Sequence, residues 1–402
     1  MKLRSTTVAY LLLFLAASLG APALQAQTFD WGGSLRWYQF LRAESAEEEI
    51  FGRRRDTEFG SARFTLESEL GPKVVFEAHA VFDFLSPPVI SAASTATGRS
   101  QNYLPLDHDF TDSEDYDLTG RFDRLNLQFN FRNARIVAGR QAITWGVTYF
   151  WPVMDLFSSF APERIDRDYK EGVDALRLTV PIGAFSEVQV IGAVLGTGFS
   201  DDQALAAQTR LYLGRFDLGL MGGKFHGDTV AGLFLTTDLA GSALRGEATW
   251  TDSGDPRDGP LGRSSFWRAS LGVDRQLTPD VGFTLEFSYN GFGASGSEDY
   301  LLVAQTDRVQ RGEVNALGKY YTGASFNWQI HPLWSLTNTV LVNWQDPSSF
   351  VIPALSWSSS DNSTILLGAQ IGIGGEFDES LAPQSEYGPA PATMFAAITW
   401  YF

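Results

Sequence analysis

Of 402 residues, 47 are acidic, 30 are basic and none is cysteine. This acidic balance is the opposite of what a non-specific nucleic-acid binder carries, and the lack of cysteine excludes a disulfide framework and a lipid-modified N-terminal cysteine. Beyond residue 26 no apolar run approaches the roughly 18 residues that a membrane helix needs, so the chain either stays in solution or crosses a membrane by strands.

The first element is a leader. MKLRSTTVAYLLLFLAASLGAPALQAQ has Lys2 and Arg4, an apolar stretch from about Val8 to Gly20, and small residues closing at Ala26. That order is expected of a secretory signal peptide over residues 1–26, with cleavage after Ala26 or alternatively after Ala23. Without Lys2 and Arg4, 28 basic residues face 47 acidic ones, a net charge of about −19. Too few residues separate Gln27 from the first strand near Trp31 to hold an N-terminal plug or a passenger domain, so 27–402 is expected to be a single domain.

From there the sequence runs in period two, the repeat of strands with one apolar and one polar face. The first strand covers about Thr28 to Arg42. In KVVFEAHAVFDF (73–84), Val74, Phe76, Ala78, Ala80, Phe82 and Phe84 oppose Glu77, His79 and Asp83. In RLNLQFNFR (124–132), Leu125, Leu127, Phe129 and Phe131 oppose Arg124, Asn126, Gln128, Asn130 and Arg132. VGFTLEFSYNG (281–291) sets Phe283, Leu285, Phe287 and Tyr289 against Thr284, Glu286, Ser288 and Asn290. TMFAAITWYF (393–402) ends the chain on Met394, Ala396, Ile398, Trp400 and Phe402, read as the lipid face of a closing strand paired with the first. Its terminal aromatic resembles the signal read by the outer-membrane assembly machinery, which assigns that role to Phe402.

Alternation alone does not separate a soluble sandwich from a membrane barrel. The connections do. Tight turns fall at 69–73, 131–135, 181–186, 214–217, 239–243, 277–280, 330–334 and 358–363. Between them the other connections are mostly long, near 44–57, 86–119, 146–171, 196–206, 251–263, 291–316 and 373–392, with only 225–229 and 345–349 short. Short turns at one end and long loops at the other mark an outer-membrane barrel. The expected fold is therefore all-β: a transmembrane antiparallel β-barrel of about 18 strands, or 16 to 18 allowing for weak segments near 201–209 and 350–358. Trp31, Trp37, Trp145, Trp250, Trp267, Trp328, Trp334, Trp344 and Trp400 are read as interfacial girdle residues.

If the apolar faces meet lipid, the polar faces line a lumen. The pore-lining candidates are Arg36, Arg42, Arg63, Glu67, Glu77, Asp83, Arg124, Arg132, Arg177, Arg210, Arg245, Arg268 and Glu286, with Glu247 and Asp274 beside them. Arginine exceeds acid in this set, while the surplus acid falls in loops, at Glu47 to Glu49, in DHDFTDSEDYD (107–117), and at Asp155, Glu163, Asp166, Asp168 and Glu171. Either the arginines form a field for anionic solutes, or they pair with acids to satisfy a polar interior while the acidic loops hold the divalent cations that bridge lipopolysaccharide.

The most distinctive stretch is GRQAITWGVTYFWPVMDLFSSFAPERIDRDYKEGVDALR (139–177). It leaves alternation at Trp145-Gly146 and resumes near Val173. Trp151, Pro152, Met154, Leu156, Phe157 and Phe160 make the segment 146–171 too apolar to extend into water, so it is expected to fold inward and narrow the lumen. GRQAITWG, the aromatic-proline loop and the return Asp166 to Gly172 are similar to a feature of porin-like outer-membrane families of the alginate-export type. This resemblance covers about forty residues. It implies a large single-chain barrel that passes solutes, in the type case an anionic polysaccharide, and places Arg140, Gln141, Arg164, Arg167 and Lys170 near the constriction.

No catalytic, metal or cofactor constellation is read. His79, His108, His226 and His331 lie on separate segments without metal-ligand spacing, and His108 between Asp107 and Asp109 is the one local hint of rim chemistry. IDRDYKEGVD lacks the spacing of a calcium loop, and no helix follows GIGG (372–375) to make a phosphate cradle. The chain is thus expected to be a non-enzymatic outer-membrane porin for small or anionic solutes, sugar acids or polysaccharides among them, in contact with lipid and lipopolysaccharide and open to homotrimer assembly. The rival reading is a structural or adhesive barrel that acts through its acidic extracellular loops.

Overall fold

The computed structural model describes residues 29–43, 56–87, 102–111, 113, 115–196, 203–253, 264–379 and 381–402. The leader (1–26), Glu47 to Glu49 and much of the first, second, fourth and fifth long connections lie outside the described residues. Nineteen strands occur among those described: β1 (Phe29–Arg42), β2 (Asp56–Gly71), β3 (Val74–Ser86), β4 (Asp107–Asp109), β5 (Asp117–Asn130), β6 (Arg135–Gln141), β7 (Val173–Ile182), β8 (Ser186–Val194), β9 (Gln203–Leu213) and β10 (Phe216–Phe225). They continue with β11 (Asp228–Leu239), β12 (Ser242–Asp252), β13 (Ser265–Thr278), β14 (Val281–Asn290), β15 (Tyr320–His331), β16 (Trp334–Asn343), β17 (Ser348–Ser360), β18 (Ser363–Ile373) and β19 (Thr393–Tyr401).

Eighteen of these are staves of a closed antiparallel barrel, and three-residue β4 is an addition to its wall. Every stave pairs with its neighbour in sequence, and β19 returns to β1 in a register running from Ser34↔Tyr401 to Arg42↔Thr393. Closure matters in lipid, where an open edge leaves amides unpaired at several kcal/mol each, on the order of the cost of any buried unbonded polar group. All eight tight turns join staves at one end of the barrel. The weak segments near 201–209 and 350–358 are staves β9 and β17, which settles the number at the upper end of the expected range.

The two faces are inverted relative to a soluble protein. On β1, Ser34, Arg36, Tyr38 and Phe40 are buried while Leu35, Trp37 and Leu41 are exposed. Leu271 on β13 is 63 % exposed and the neighbouring inward Arg268 only 4 %, a sorting that makes sense only if lipid covers the outside. At the short-turn end, Phe402 packs near Trp31, Phe64 and Trp400, and its backbone exchanges hydrogen bonds with Gly33 at 2.9 and 3.1 Å. Trp145 departs from the girdle expectation. It is buried inside the barrel against Phe157 and Phe225, because its strand has already left the wall.

Candidate functional site

The segment between β6 and β7 leaves the wall at Gln141, four residues earlier than the alternation predicts. Gly139 makes the departure: its φ of +119° favours glycine, and a Cβ there would lie 2.3 Å from the carbonyl oxygen of Leu125. β5 therefore loses β6 as a partner beyond Leu125, and β4 fills part of the exposed edge by pairing Asp107 to Asp109 with Arg121 to Thr119.

Arg140 completes the repair. Its guanidinium donates to Asp174 of β7 at 3.0 and 3.2 Å, to Asp107 at 3.1 Å, and to the carbonyls of Phe122 and Leu104 at 3.0 and 2.6 Å. Gln141 donates its amide to the Val137 and Ala175 carbonyls at 3.1 and 3.0 Å. Both side chains are thus consumed by the wall, and neither reaches a constriction. The sequence pattern missed this because it ran the strand on to Trp145.

The first limb of the segment, 143–157, is apolar. Ile143, Trp145, Met154, Leu156 and Phe157 pack with Ile191, Ala206, Met221, Phe225 and Phe234 on the inner face of β8 to β11, while Phe150 and Trp151 meet Tyr321, Leu341 and Phe350 on β15 to β17. Two wall carboxylates hold its backbone. Glu286 of β14 accepts the amides of Tyr149, Phe150 and Trp151 at 2.7, 3.1 and 2.8 Å, and Glu247 of β12 accepts the Val147 amide and the Thr148 hydroxyl at 2.9 and 2.5 Å. Three consecutive amides on one carboxylate satisfy donors that a buried irregular segment otherwise leaves unbonded.

The second limb, 161–172, is polar and crosses to the opposite wall. Arg36 of β1 forks between Asp166 and, at 2.7 Å, Asp168, which also accepts the Tyr401 hydroxyl at 3.1 Å. The Arg63 guanidinium of β2 lies 4.0 Å from the Tyr169 ring centroid, and Gln370 of β18 donates to the Glu163 carbonyl at 3.0 Å. At the limb's end the Gly172 amide donates to Asp123 at 3.1 Å, an approach so close that a Cβ would sit 2.2 Å from the Asp123 carbonyl oxygen. Asp123 also takes Arg63 at 2.6 Å and Arg124 at 3.0 Å.

Asp123 and Arg124 both face inward although adjacent, because the β3–β5 register shifts between His79 and Ala80 and a bulge interrupts the alternation. A strict period of two sees Arg124 and passes over Asp123.

The two limbs are tied together by Lys170, which donates to Ile143 O at 2.6 Å and to the Asp155 carboxylate. Burial pushes both members of this pair toward their neutral forms, Lys170 downward and Asp155 upward. Burial opposes the charge of Asp166 as well, but the hydrogen bond and charge of Arg36 outweigh it and hold the carboxyl below its usual range. Glu163 is pushed up by burial to about 7. In the long connection 373–393, burial pushes Glu386 up to about 8, although the Tyr321 hydroxyl, Asn343 and the Leu317 amide donate to it.

The remaining candidates divide clearly. Asp83 pairs with Arg121, Arg245 with Asp274, and Arg210 with Asp217, while Glu77 accepts Asn126 at 2.9 Å. Arg268 donates to the Glu313 carbonyl at 2.6 Å, and Glu313 is held down to about 2 by Arg311, Arg268 and Arg308 against the opposing effect of burial. Arg177 and Glu67 stand on inward positions of β7 and β2, and Arg42 ends β1 at the long-connection end. Arg132 is not on a stave: β5 stops at Asn130, and Arg132 is exposed in the turn that follows. Arg167 donates to the carbonyls of Arg164, Ala161 and Pro162 in its own limb and to the Tyr149 carbonyl of the first limb at 3.3 Å, with its guanidinium 5.2 Å from the Tyr149 ring centroid. His79 neighbours Glu77, His108 lies in the β4–β5 ladder, and His331 accepts the Leu333 amide in a hairpin.

No protein-family model matches the sequence, and no curated protein matches it. Solved structures do share its fold. OccD3 (OpdP) of Pseudomonas aeruginosa superposes with a TM-score of 0.56 at 11 % identity over 94 % of this chain and 92 % of that one. OccAB4 of Acinetobacter baumannii gives 0.57 at 8 % identity over 94 % and 99 %, and the outer membrane protein OpdK of P. aeruginosa gives 0.56 at 9 % identity over 93 % and 98 %. These are outer-membrane porins of the OccD/OprD kind, and the likeness is one of fold. The alginate-export resemblance is corrected by this result to a porin-like architecture. Its forty residues span the strand exit and the packed limb, whose aromatic and glycine positions follow from folding a segment inside a barrel.

Proposed function

We propose that the chain is an integral outer-membrane channel through which small polar solutes diffuse, narrowed where the segment 142–172 crosses the lumen, with the short turns on the periplasmic side. One observation carries this reading: a closed barrel with charged inward faces holds, across its interior, a segment whose second limb rests on the wall through ion pairs as well as through Ile165 on the Tyr38, Phe40 and Phe395 cluster. No covalent chemistry enters. The guanidiniums of Arg36, Arg63, Arg121 and Arg140 are each paired with carboxylates, which favours the second account of the arginine-rich wall, satisfaction of a polar interior, over a field for polyanions.

Single-channel recording in a planar bilayer tests the reading. Discrete conductance steps in KCl are expected, and electrically silent insertion would instead favour a structural or adhesive barrel. Removing residues 150–168 should raise the step size, but it also deletes packed side chains. The milder variant Asp166→Asn with Asp168→Asn, which releases only the second limb, should raise it too, and unchanged steps in both would sink the constriction.

A further inference from the structure

β6 is seven residues long, shorter than the about 9–11 that a tilted strand needs to cross the hydrocarbon. Its pairing with β5 ends at Leu125, yet β5 runs on from there to Asp117 at roughly 3.3 Å per residue, which leaves the wall an edge in the half of the membrane away from the short turns. Among the described residues only β4 pairs with that edge, through Asp107↔Arg121, His108↔Gly120 and Asp109↔Thr119. A bare edge is not tolerated in lipid, so this three-residue piece is a patch where a stave is missing.

The patch is held unequally on its two sides. At Leu104, Arg140 donates to the carbonyl at 2.6 Å and Asp174 accepts the amide at 2.7 Å, while Asn102 donates to the Gly172 carbonyl at 3.2 Å. Against β5 there is only the short neutral ladder, flanked by the Phe110 amide on the Leu118 carbonyl at 2.8 Å and the Phe122 amide on the Leu106 carbonyl at 3.1 Å. The exposed Phe110 ring covers this ladder, leaning on Phe82 over Gly120, where a Cβ would lie 2.6 Å from that ring. Charge-assisted bonds are about twice as strong as neutral ones, so the side that opens first is β5, with Leu104 as the fixed end.

The seam has a different chemistry on each face. Toward the lumen, Arg121, which stands opposite Asp107 in the ladder, also lines a cavity of about 60 Å³ under the second limb. Toward lipid, Phe82, Phe122 and Leu176 are exposed. The charges along it are already paired, Arg121 with Asp83, Asp123 with Arg63 and Arg124, and Arg140 with Asp174. A molecule that suits both faces therefore has a small uncharged polar head and an apolar tail.

We propose that the seam between β4 and β5 is a lateral portal, through which single-chain amphiphiles with small uncharged heads pass between the lumen and the surrounding membrane. The inference needs the barrel to sit in lipid and does not need the axial passage to conduct.

The chain has no cysteine, so a disulfide can be placed without competitors. Asp109 and Thr119 face each other between hydrogen-bonded pairs, where Cα atoms lie about 4.5 Å apart, within disulfide reach. Asp109→Cys with Thr119→Cys should thus lock the patch when oxidised and free it when reduced. The probe is dodecanol carrying a photoreactive diazirine beside its hydroxyl end, added to phospholipid vesicles that hold the protein, with butanol carrying the same group as the short control. After irradiation, mass spectrometry reads the adduct on residues 161–172, which lie inside the barrel. Oxidation should lower the dodecanol adduct there at least tenfold, reduction should restore it, and the butanol adduct should stay the same. Phe110→Ala, which uncovers the ladder from outside, should raise the dodecanol adduct about threefold. A dodecanol adduct that is absent from 161–172 in the wild type, that is unchanged by oxidation, or that falls only in step with the butanol adduct overturns the portal.

Discussion

The two limbs of the inward segment lie in one lumen but are fastened by different physics. The first buries Trp145, Met154 and Phe157, each worth about 1.5–3 kcal/mol, and lends its amides to Glu286 and Glu247 inside the wall. The second is fastened mostly by polar contacts: Arg36 to Asp166 and to Asp168, whose side chain is 56 % exposed, Tyr401 to Asp168, Gln370 to Glu163, Gly172 to Asp123 and Lys170 to Asp155, with Ile165 as its apolar contact with the wall. Ion pairs of which one partner meets water are worth on the order of 0–1 kcal/mol and weaken with salt. On the channel reading proposed above, the first limb is the fixed partition and the second is the part expected to yield to a passing solute. Each variant below tests that contrast.

The largest effect is expected at Glu286. Glu286→Leu keeps the site filled but strands three buried amides, at about 1–3 kcal/mol each if water does not reach them. The barrel should lose its compact, detergent-resistant form at a markedly lower temperature, and the conductance of what remains should be irregular. A variant as heat-stable and as quiet as the wild type would show that the first limb is not anchored there.

Arg36→Gln comes next. It removes the pairing of Asp166 and Asp168 with the wall yet leaves the apolar packing of the first limb untouched. Expected are a melting shift well below that of Glu286→Leu, by about 1 kcal/mol or less, and a larger, flickering conductance. In the wild type, raising the salt should move conductance the same way. Equal losses of stability from the two variants would erase the distinction between the limbs.

Smaller still is the effect of pH, which acts where the second limb meets the connection 373–393. Glu163 and Glu386, raised to about 7 and about 8, bind their protons more tightly in the folded protein than in the unfolded chain. Their contribution to stability is therefore fully present below the ordinary carboxylate range and is lost as pH rises through about 7 and then about 8. Current noise should grow over that window, and Glu386→Gln should remove the upper part of the change. A flat profile from acid to alkaline would mean these groups do not report on the limb.

How far the sequence could carry these conclusions depends on which feature is read. Alternation and loop asymmetry each constrain many residues at once, so staves, turns and closure were legible, even at β9 and β17. Site residues failed wherever one residue broke the period. Gly139 released β6 early and turned Arg140 and Gln141 into wall struts; the bulge at Asp123 placed two successive side chains inward and hid the carboxylate that binds Arg63 and Arg124. Pairing was the other blind spot. Arg36 reads as a free cation on an inward face until its partners, 130 and 132 positions away, are brought against it.

The weakest expected effect marks where the narrowing is not. Arg210 and Asp217 hydrogen-bond at 2.8 Å on β9 and β10 near their short turn, with no hydrogen bond to either limb among the described residues, and the Arg210 side chain is 51 % exposed. An ion pair so wet contributes little, below about 1 kcal/mol, and a charge in a wide, screened passage barely alters flux. Arg210→Gln should leave the melting temperature and the conductance within error of the wild type. If conductance or ion selectivity instead changed as strongly as in Arg36→Gln, resistance to flow would sit on the turn-side wall. The two limbs would then be equally remote from the step that limits passage.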